Sequence, residues 1–309
     1  PRTHPPGPAQ GRPRAGGAGA GARRGKTSPP PPPRLHREVL RYNPPEVSAA
    51  LGKLEGGTAD YTAVIDEDPN YAEYHFDLGG LLHRLGRDEE AIAEYETAMR
   101  LSPPFPELYY NRGDVRAGLG DLDGAVADFR YVLELDPEYA DAAVNLAGLL
   151  ADIGDPEASA DAAAVVAEGL TVAPDNPHLH CLDGRLHLES GHLPEARSAL
   201  NRALAADPAL AEAWALLGML CYTEGARTEA VAALSRALEF HPTPAAYFNR
   251  GAMHEEAEEW EPAIADFTAA IDLDPQDPDS WAHRSACRAR LGQADAAAAD
   301  LRRAQELAE

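Results

Sequence analysis

Proline recurs about every 34 residues over most of this chain, and this period constrains the fold more than any other feature. The spacings are 34, 34, 37, 34, 34 and 33 residues, between Pro69, Pro103, Pro137, Pro174, Pro208, Pro242 and Pro275. A glycine precedes most of these prolines by 24 residues, at Gly79, Gly113, Gly184, Gly218 and Gly251. An alanine precedes them by 12 residues, at Ala91, Ala125, Ala162, Ala196, Ala230 and Ala263. A fixed period of this length predicts an array of identical supersecondary units.

The small residues at fixed places indicate that each unit is a pair of antiparallel helices. Glycine in the first helix and alanine in the second allow the two backbones to approach where the helices cross. A second glycine follows a leucine between the two halves, as in Leu85-Gly86 and Leu119-Gly120, and suits a left-handed helix C-terminus. The recurring proline ends the second helix. An all-α solenoid of helical hairpins is therefore predicted.

These residues resemble the tetratricopeptide repeat, whose pattern places an aromatic, a leucine and a glycine in the first helix. One unit carries the pattern most fully, with Trp214, Leu217, Gly218, Ala230, Leu234, Ala237 and Pro242. The resemblance implies about seven repeats forming a right-handed superhelix. The expected repeats are 72–105, 106–139, 140–176, 177–210, 211–243, 244–277 and 278–309.

The segments before the repeats differ in composition. Residues 1–37 are rich in proline, arginine and glycine and are predicted to be disordered, since they have little apolar surface to bury. Residues 38–71 are predicted to be a degenerate repeat or N-terminal capping helices, with a turn at Leu51-Gly52. In the third repeat, three extra residues and the Asp155-Pro156 pair predict a second helix about one turn longer than the others.

Charge is divided unevenly and limits the choice of partner. Residues 1–41 carry nine Lys/Arg and one acidic residue, a net +8, whereas the remainder carries 18 basic and 50 acidic residues, a net −32. An acidic array repels phosphates, so nucleic acid is not expected to bind the repeats. The sequence contains no run of about 18–20 apolar residues, so it predicts no membrane-spanning helix. Three scattered cysteines without a paired spacing favour a reducing, cytoplasmic setting.

The resemblance implies a peptide-binding groove lined by the first helix of each repeat. Its candidate residues are Phe76, His83, Arg84, Tyr110, Asn111, Asp114, Asp141, Asn145, Arg185, Glu212, Met219, Tyr222, Phe248, Asn249 and Glu255. Val144, Asp152 and His178 stand at equivalent places. This set is acidic with interspersed aromatics, so we expect a basic, extended or helical segment with apolar anchors. The asparagines Asn111, Asn145 and Asn249 either bond a ligand backbone or have a structural role.

No arrangement of side chains predicts catalysis, a metal or a cofactor. His180, Cys181, Asp183 and His187 share one helix, but both histidines fall at packing places where the family carries larger side chains. The run from Ala20 to Thr27 lacks the strand and helix that a phosphate loop requires. A non-catalytic protein-interaction scaffold is therefore the main hypothesis.

Three further hypotheses remain open. The array could be a regulatory or targeting module of an enzyme or enzyme complex. The basic N-terminal segment could bind anionic lipid or nucleic acid. Because no polar helix follows the last repeat, self-association through that repeat is also expected.

Overall fold

The computed structural model describes the backbone of residues 44–308 and the side chains of residues 53–308. The predicted disordered tail, residues 1–37, lies outside the described residues. Every regular element between residues 44 and 308 is an α-helix, and consecutive helices pack as antiparallel pairs. The prediction of an all-α array of helical hairpins is confirmed.

The array consists of one leading helix, α1 (Pro44–Glu67), followed by seven hairpins in the described part of the chain. The first helices are α2 (Ala72–Arg84), α4 (Pro106–Gly118), α6 (Ala140–Ile153), α8 (Pro177–Glu189), α10 (Ala211–Thr223), α12 (Pro244–Glu256) and α14 (Pro278–Arg290). The second helices are α3 (Asp88–Leu101), α5 (Leu122–Leu135), α7 (Pro156–Val172), α9 (Leu193–Ala206), α11 (Arg227–Phe240), α13 (Trp260–Leu273) and α15 (Ala294–Ala308). Each second helix packs against its own first helix, and those from α3 to α13 also pack against the first helix of the next hairpin.

The helix crossings use the small residues as predicted. A Cβ added to Gly218 would lie 2.8 Å from Leu234 Cγ and 3.3 Å from the carbonyl oxygen of Ala230. The equivalent alanines are all buried, namely Ala91, Ala125, Ala162, Ala196, Ala230, Ala263 and Ala297. Since overpacking a tight crossing forces the helices apart, glycine is required at this contact.

The turns inside the hairpins confirm the second glycine prediction. Gly86, Gly120 and Gly292 have φ of 72°, 81° and 76°, in the left-handed region. The sixth hairpin departs from this rule, because Glu258 adopts φ 59° at the same place. A glutamate is strained there, since its Cβ crowds the backbone at positive φ.

The third hairpin contains the longer second helix that its three extra residues predict. Helix α7 has 17 residues, whereas α5 has 14. The Asp155 side chain accepts hydrogen bonds from the amides of Glu157 and Ala158, and Pro156 follows as the first helical residue. The sequence prediction for this start is confirmed.

The leading segment corrects one prediction. Helix α1 runs unbroken through Leu51-Gly52, so the turn predicted there is wrong. A hairpin turn is stabilised by two helices that pack on each other, and Pro44-Pro45 leaves too few residues for a first helix. Without that partner, the backbone gains more by continuing its helical hydrogen bonds.

Three hairpins of the described chain bury an arginine–aspartate pair between their helices. Arg112 contacts Asp128 at 2.6 Å, Arg250 contacts Asp266 at 2.6 Å, and Arg284 contacts Asp300 at 2.9 Å. Each arginine makes two hydrogen bonds to its carboxylate. Such two-pronged pairs fix geometry as well as charge.

Candidate functional site: an acidic cleft on the inner face

The first helices of successive hairpins lie on the same side of the array, and their exposed surface is here termed the inner face. Helix α8 contacts both α6 and α10, and α2 contacts α4 in the same way. Among the described helices, no two second helices of successive hairpins approach each other as closely. The first helices are therefore on the inside of the bend, where a partner segment can contact several hairpins at once.

A cleft of about 360 Å³ lies in the inner face and is lined by residues of α4, α5, α6, α8 and α10. Four of the predicted groove residues line it, namely Asp114, Asn145, Arg185 and Glu212. Residues at the equivalent places also contribute, namely Val144, Asp152 and His178. The remaining wall is largely apolar and consists of Ala117, Phe129, Gly148, Leu149 and Leu182.

The cleft carries three exposed carboxylates, those of Asp114, Asp152 and Glu212. Its one arginine, Arg185, is already engaged, because its Nη1 lies 2.8 Å from Asp152 and its Nε 2.9 Å from Glu189. Burial alone would lower the pKa of Arg185, but the hydrogen bonds to Glu189 and Asp152 outweigh it and leave the pKa raised. The cleft therefore retains a net negative charge.

Tyr110 and Asn145 join the second and third hairpins at the edge of this cleft. Asn145 Nδ2 donates to the Tyr110 hydroxyl at 3.1 Å, and the Tyr110 ring packs against Tyr139 at 5.1 Å. Partial burial, followed by the carboxylates of Asp141 and Asp114, raises the pKa of Tyr110. Asn145 thus has a partner within the protein, which favours the structural alternative for this asparagine. Asn111 has one as well, because it hydrogen-bonds to Tyr95.

The predicted residues of the first hairpin do not line the cleft, although His83 contacts Asp114 at its edge. Phe76 is half-buried, with its ring 5.4 Å from that of Phe105. His83 Nδ1 lies 2.7 Å from Asp88, and its Nε2 lies 3.7 Å from Asp114. Arg84 is exposed at the end of α2.

The predicted residues of the fifth and sixth hairpins form a second group. Met219 and Tyr222 are 44% and 42% exposed and, with the half-buried Leu216, form an apolar shelf on α10. Phe248 is half-buried, and its ring packs against that of Phe267. Glu255 is half-buried as well, and its carboxylate lies 2.6 Å from His283 Nδ1. Asn249 is half-buried on α12. The structure thus divides the predicted groove into an acidic cleft and an apolar shelf.

Family models match most of this array. The tetratricopeptide repeat model matches residues 110–176, 182–245 and 227–278, and a second repeat model of the same kind matches residues 81–120. The chain belongs to the tetratricopeptide repeat family. Members of this family generally serve as non-catalytic scaffolds for protein or peptide partners. The fold therefore supports a role in protein interaction for this tetratricopeptide repeat chain.

Several solved structures share the tetratricopeptide repeat fold. A tetratricopeptide repeat protein from Parabacteroides merdae is 20% identical over 73% of this chain and 89% of its own, with a TM-score of 0.61. The APC/C hetero-tetramer Cut9–Hcn1 gives 15% identity and a TM-score of 0.64 over 84% of this chain. This chain covers only 52% of that protein's length. PilF of Pseudomonas aeruginosa gives 19% identity over 63% of this chain and 88% of its own, with a TM-score of 0.56.

These likenesses show the fold alone, because identity is low in each case. No curated protein sequence matches the chain. Within residues 44–308, no helix combines the length and apolar character needed to cross a bilayer.

His180 packs as the sequence interpretation expected, whereas His187 is half-buried and its Nε2 lies 3.4 Å from Asp183. His180 is buried, and its Nε2 donates to the carbonyl of Pro174 at 2.8 Å. Trp214 makes the same bond to Pro208 at 2.9 Å. His180 therefore takes the place of the family's aromatic residue. No group of three metal-ligating side chains occurs in the described part of this tetratricopeptide repeat chain.

The cysteines are buried in the repeat core. Cys181, Cys221 and Cys287 are each at most 2% exposed. Burial, followed by the nearby Glu255, raises the pKa of Cys287 to about 12. Burial likewise raises the pKa of Cys181. A buried, protonated thiol is a weak nucleophile, so these side chains serve packing.

Sequence reasoning missed the buried pairs and the largely apolar wall of the cleft, which includes Gly148. The arginine and aspartate of each pair are 16 positions apart, as in Arg112 and Asp128, and this repeated spacing was the available signal. Gly148 lines the cleft from the middle of α6. A glycine inside a helical pattern with no turn nearby was the signal for it.

Proposed function

We propose that this protein is a non-catalytic, cytoplasmic scaffold whose inner face binds a basic, extended segment of a partner protein. A cationic side chain of the partner enters the acidic cleft, and an apolar side chain lies on the shelf formed by Leu216, Met219 and Tyr222. The observation that carries the proposal is the cleft's charge: three exposed carboxylates surround one arginine that is already paired.

The charge of the whole array supports the same partner. The chain beyond residue 41 carries a net −32, so a basic segment is attracted before it makes contact. Exposed acids alone occur on many soluble surfaces. In this cleft they stand above an apolar wall that includes Phe129, Leu149 and Leu182, and such a wall can bury the methylene stem of a lysine or arginine. Charge and apolar area then favour the same side chain.

The test is the affinity of the full-length protein for a short fluorescein-labelled peptide, measured by fluorescence polarisation. The peptide combines arginine, leucine and alanine, and its counterpart carries glutamate in place of arginine. We expect the basic peptide to bind and the acidic one to fail. The variant Asp114→Asn/Glu212→Gln should weaken the basic peptide about tenfold, since two charge contacts are removed.

The control variant removes the same charge elsewhere. Glu89 and Glu134 are exposed on second helices, so Glu89→Gln/Glu134→Gln should leave affinity nearly unchanged. Equal weakening by the two double variants would show that only the net charge of the array attracts the peptide. Absence of binding by the unaltered protein would reject the proposal.

Self-association through the last hairpin is part of the same proposal. Leu301 on α15 is 47% exposed, whereas the equivalent Leu234 and Phe267 are fully buried. An exposed leucine at a packing place favours contact with another apolar surface. Light scattering across a concentration series should show a dimer that Leu301→Glu abolishes; a monomer at every concentration would contradict it.

A further inference from the structure

Gly148 stands in the middle of α6 without a packing reason for being glycine. The crossing glycines have one, since a Cβ on Gly184 would lie 2.6 Å from Leu200 Cγ. A Cβ on Gly148 would meet nothing within 4 Å. Its backbone is helical and its φ is not positive, so no turn requires glycine either. Glycine destabilises a helix interior relative to alanine. Gly148 therefore weakens α6, and neither packing nor backbone conformation requires a glycine there.

The space above Gly148 belongs to the acidic cleft. The equivalent position carries Asp114 in the second hairpin, Arg185 in the fourth and Met219 in the fifth, and a small residue in the first, sixth and seventh, namely Gly80, Ala252 and Ala286. Only Gly148 of these four small residues lines the cleft, where it leaves a gap between the side chains of Asp114 and Arg185. Val144 and Asp152, each one helical turn away on α6, line the same cleft.

We propose that Gly148 is a specificity-determining residue that admits the long cationic side chain of the partner segment. This inference rests on the proposed function and adds where the cation enters. The stem of the arginine or lysine passes over Gly148, where Val144 and Leu182 provide apolar contact. Its charged end reaches the carboxylates of Asp114 and Glu212. A side chain at position 148 would occupy the volume that this stem needs.

The negative surroundings of the gap select a cation over other side chains of similar length. Asp114 lines it from α4, Asp152 from α6 and Glu212 from α10. Arg185, from α8, is held by Asp152 and Glu189 and offers no free charge to a carboxylate. His178 is the remaining titratable side chain of the lining. An acidic ligand side chain would therefore be repelled by Asp114 and Glu212, whereas Asp152 is paired with Arg185.

The test compares two probes on full-length protein and on Gly148→Leu. The first probe is the fluorescein-labelled arginine peptide; the second replaces its arginines with diaminopropionic acid, which keeps a positive charge on a much shorter stem. The unaltered protein should prefer the arginine probe. Gly148→Leu should bind the arginine probe about tenfold more weakly and lose the preference. Gly148→Ala should give an intermediate loss.

Controls distinguish a folding defect from a loss of peptide binding. Circular dichroism should show an unchanged helix content and a Tm no lower than that of the unaltered protein for both variants, since the space is open and glycine is replaced. Gly56→Leu, at an exposed helical glycine of α1 with equal space, should leave both affinities unchanged. If the unaltered protein binds and Gly148→Leu keeps its preference, the inference is wrong and the proposed function stands. If the unaltered protein binds neither probe, both are wrong.

Discussion

The second and fifth hairpins share one helix crossing but fill the positions beside it with opposite chemistry. Both place a glycine of the first helix against a large side chain of the second, Gly113 on Phe129 and Gly218 on Leu234. Beside this contact, the second hairpin buries Arg112 against Asp128. The fifth hairpin has Leu217 and Ala233 at the same two positions, and both are buried.

This difference shows which part of the repeat is fixed. The crossing tolerates only a small residue. The neighbouring pair of residues can be ionic or apolar, provided that both residues are charged or both are apolar. An apolar pair of suitable volume is often as stable as a buried ion pair. A mismatched pair is costly, because it leaves a charge without a partner. The predictions below test this distinction in order of decreasing expected effect.

The largest effect is expected from breaking the ion pair on one side. Asp128 is 4% exposed in its side chain and accepts from both Arg112 and Arg116. Asp128→Ala leaves two arginines facing a buried gap and should lower the free energy of unfolding by about 3–5 kcal/mol. Urea unfolding followed by circular dichroism measures this.

The double variant Arg112→Leu/Asp128→Ala gives the second hairpin the pair found in the fifth. It should recover most of the loss, because Arg112 leaves together with its partner and Arg116 keeps Asp121 at 3.5 Å. A double variant as unstable as Asp128→Ala would show that the two hairpins are not interchangeable at these positions.

The second prediction concerns the contact that both hairpins share. Gly218→Leu forces a side chain against Leu234, where even a Cβ would lie 2.8 Å from Cγ, and should cost about 1–3 kcal/mol. Thermal melts of this variant and of the unaltered protein provide the measurement. A melt no lower than that of the unaltered protein would contradict the packing described for the crossing.

The third prediction compares the turns of the fifth and sixth hairpins. Gly225 has φ 78°, whereas Glu258 has φ 59°. Glu258→Gly relieves strain that amounts to about 1 kcal/mol and should raise Tm slightly. Gly225→Ala should lower stability by a similar amount. The two variants should change the stability in opposite directions. A loss of stability in both would show that Glu258 is not strained.

The fourth prediction concerns the local opening of single hairpins, measured by the reactivity of their cysteine thiols. Cys181 and Cys287 are buried in the fourth and seventh hairpins and should react with a thiol reagent at pH 8 only when their hairpin opens. Asp300→Ala breaks the Arg284 pair and should speed the labelling of Cys287, while Cys181 keeps its rate. Equal acceleration of both would show that the array opens as one unit.

Alkaline pH should affect the same hairpin. The folded pKa of Cys287, about 12, lies above its ordinary value of 9.0. The stability contributed by the neutral thiol is therefore fully present below pH 9.0 and is lost as the pH rises toward 12. Cys287→Ser should flatten this dependence in melts between those pH values, and an unchanged pH profile would contradict it.

The fold could be predicted from the sequence because the residues that specify it act locally and recur from repeat to repeat. The crossing at Gly218 and the turn at Gly86 each depend on one small residue, and repetition made both recognisable. The turn predicted at Leu51-Gly52 was wrong, since the same two letters lack a partner helix there. A pattern that requires tertiary packing cannot be judged from its own residues.

Only part of the cleft could be predicted from the sequence. Asp114, Arg185 and Glu212 lie in it because the repeat fixes which face of each first helix is turned inward. Phe248 and Glu255 stand at equivalent places yet contact their own neighbours, the former Phe267 and the latter His283. Which inward residues stay accessible depends on contacts between hairpins, and sequence periodicity does not encode those contacts.

The ring N–H bonds to proline carbonyls have a mechanical consequence. His180 and Trp214 tie their hairpins to the preceding connection, so the third, fourth and fifth hairpins are pinned together at both joints. The equivalent residue in the third hairpin is Ala143, which has no ring to donate. The joint between the second and third hairpins is held by other contacts, namely the Asn145–Tyr110 hydrogen bond and the packing of Tyr110 against Tyr139. The cleft therefore spans joints of two kinds, one tied through a backbone carbonyl and one tied through side chains alone.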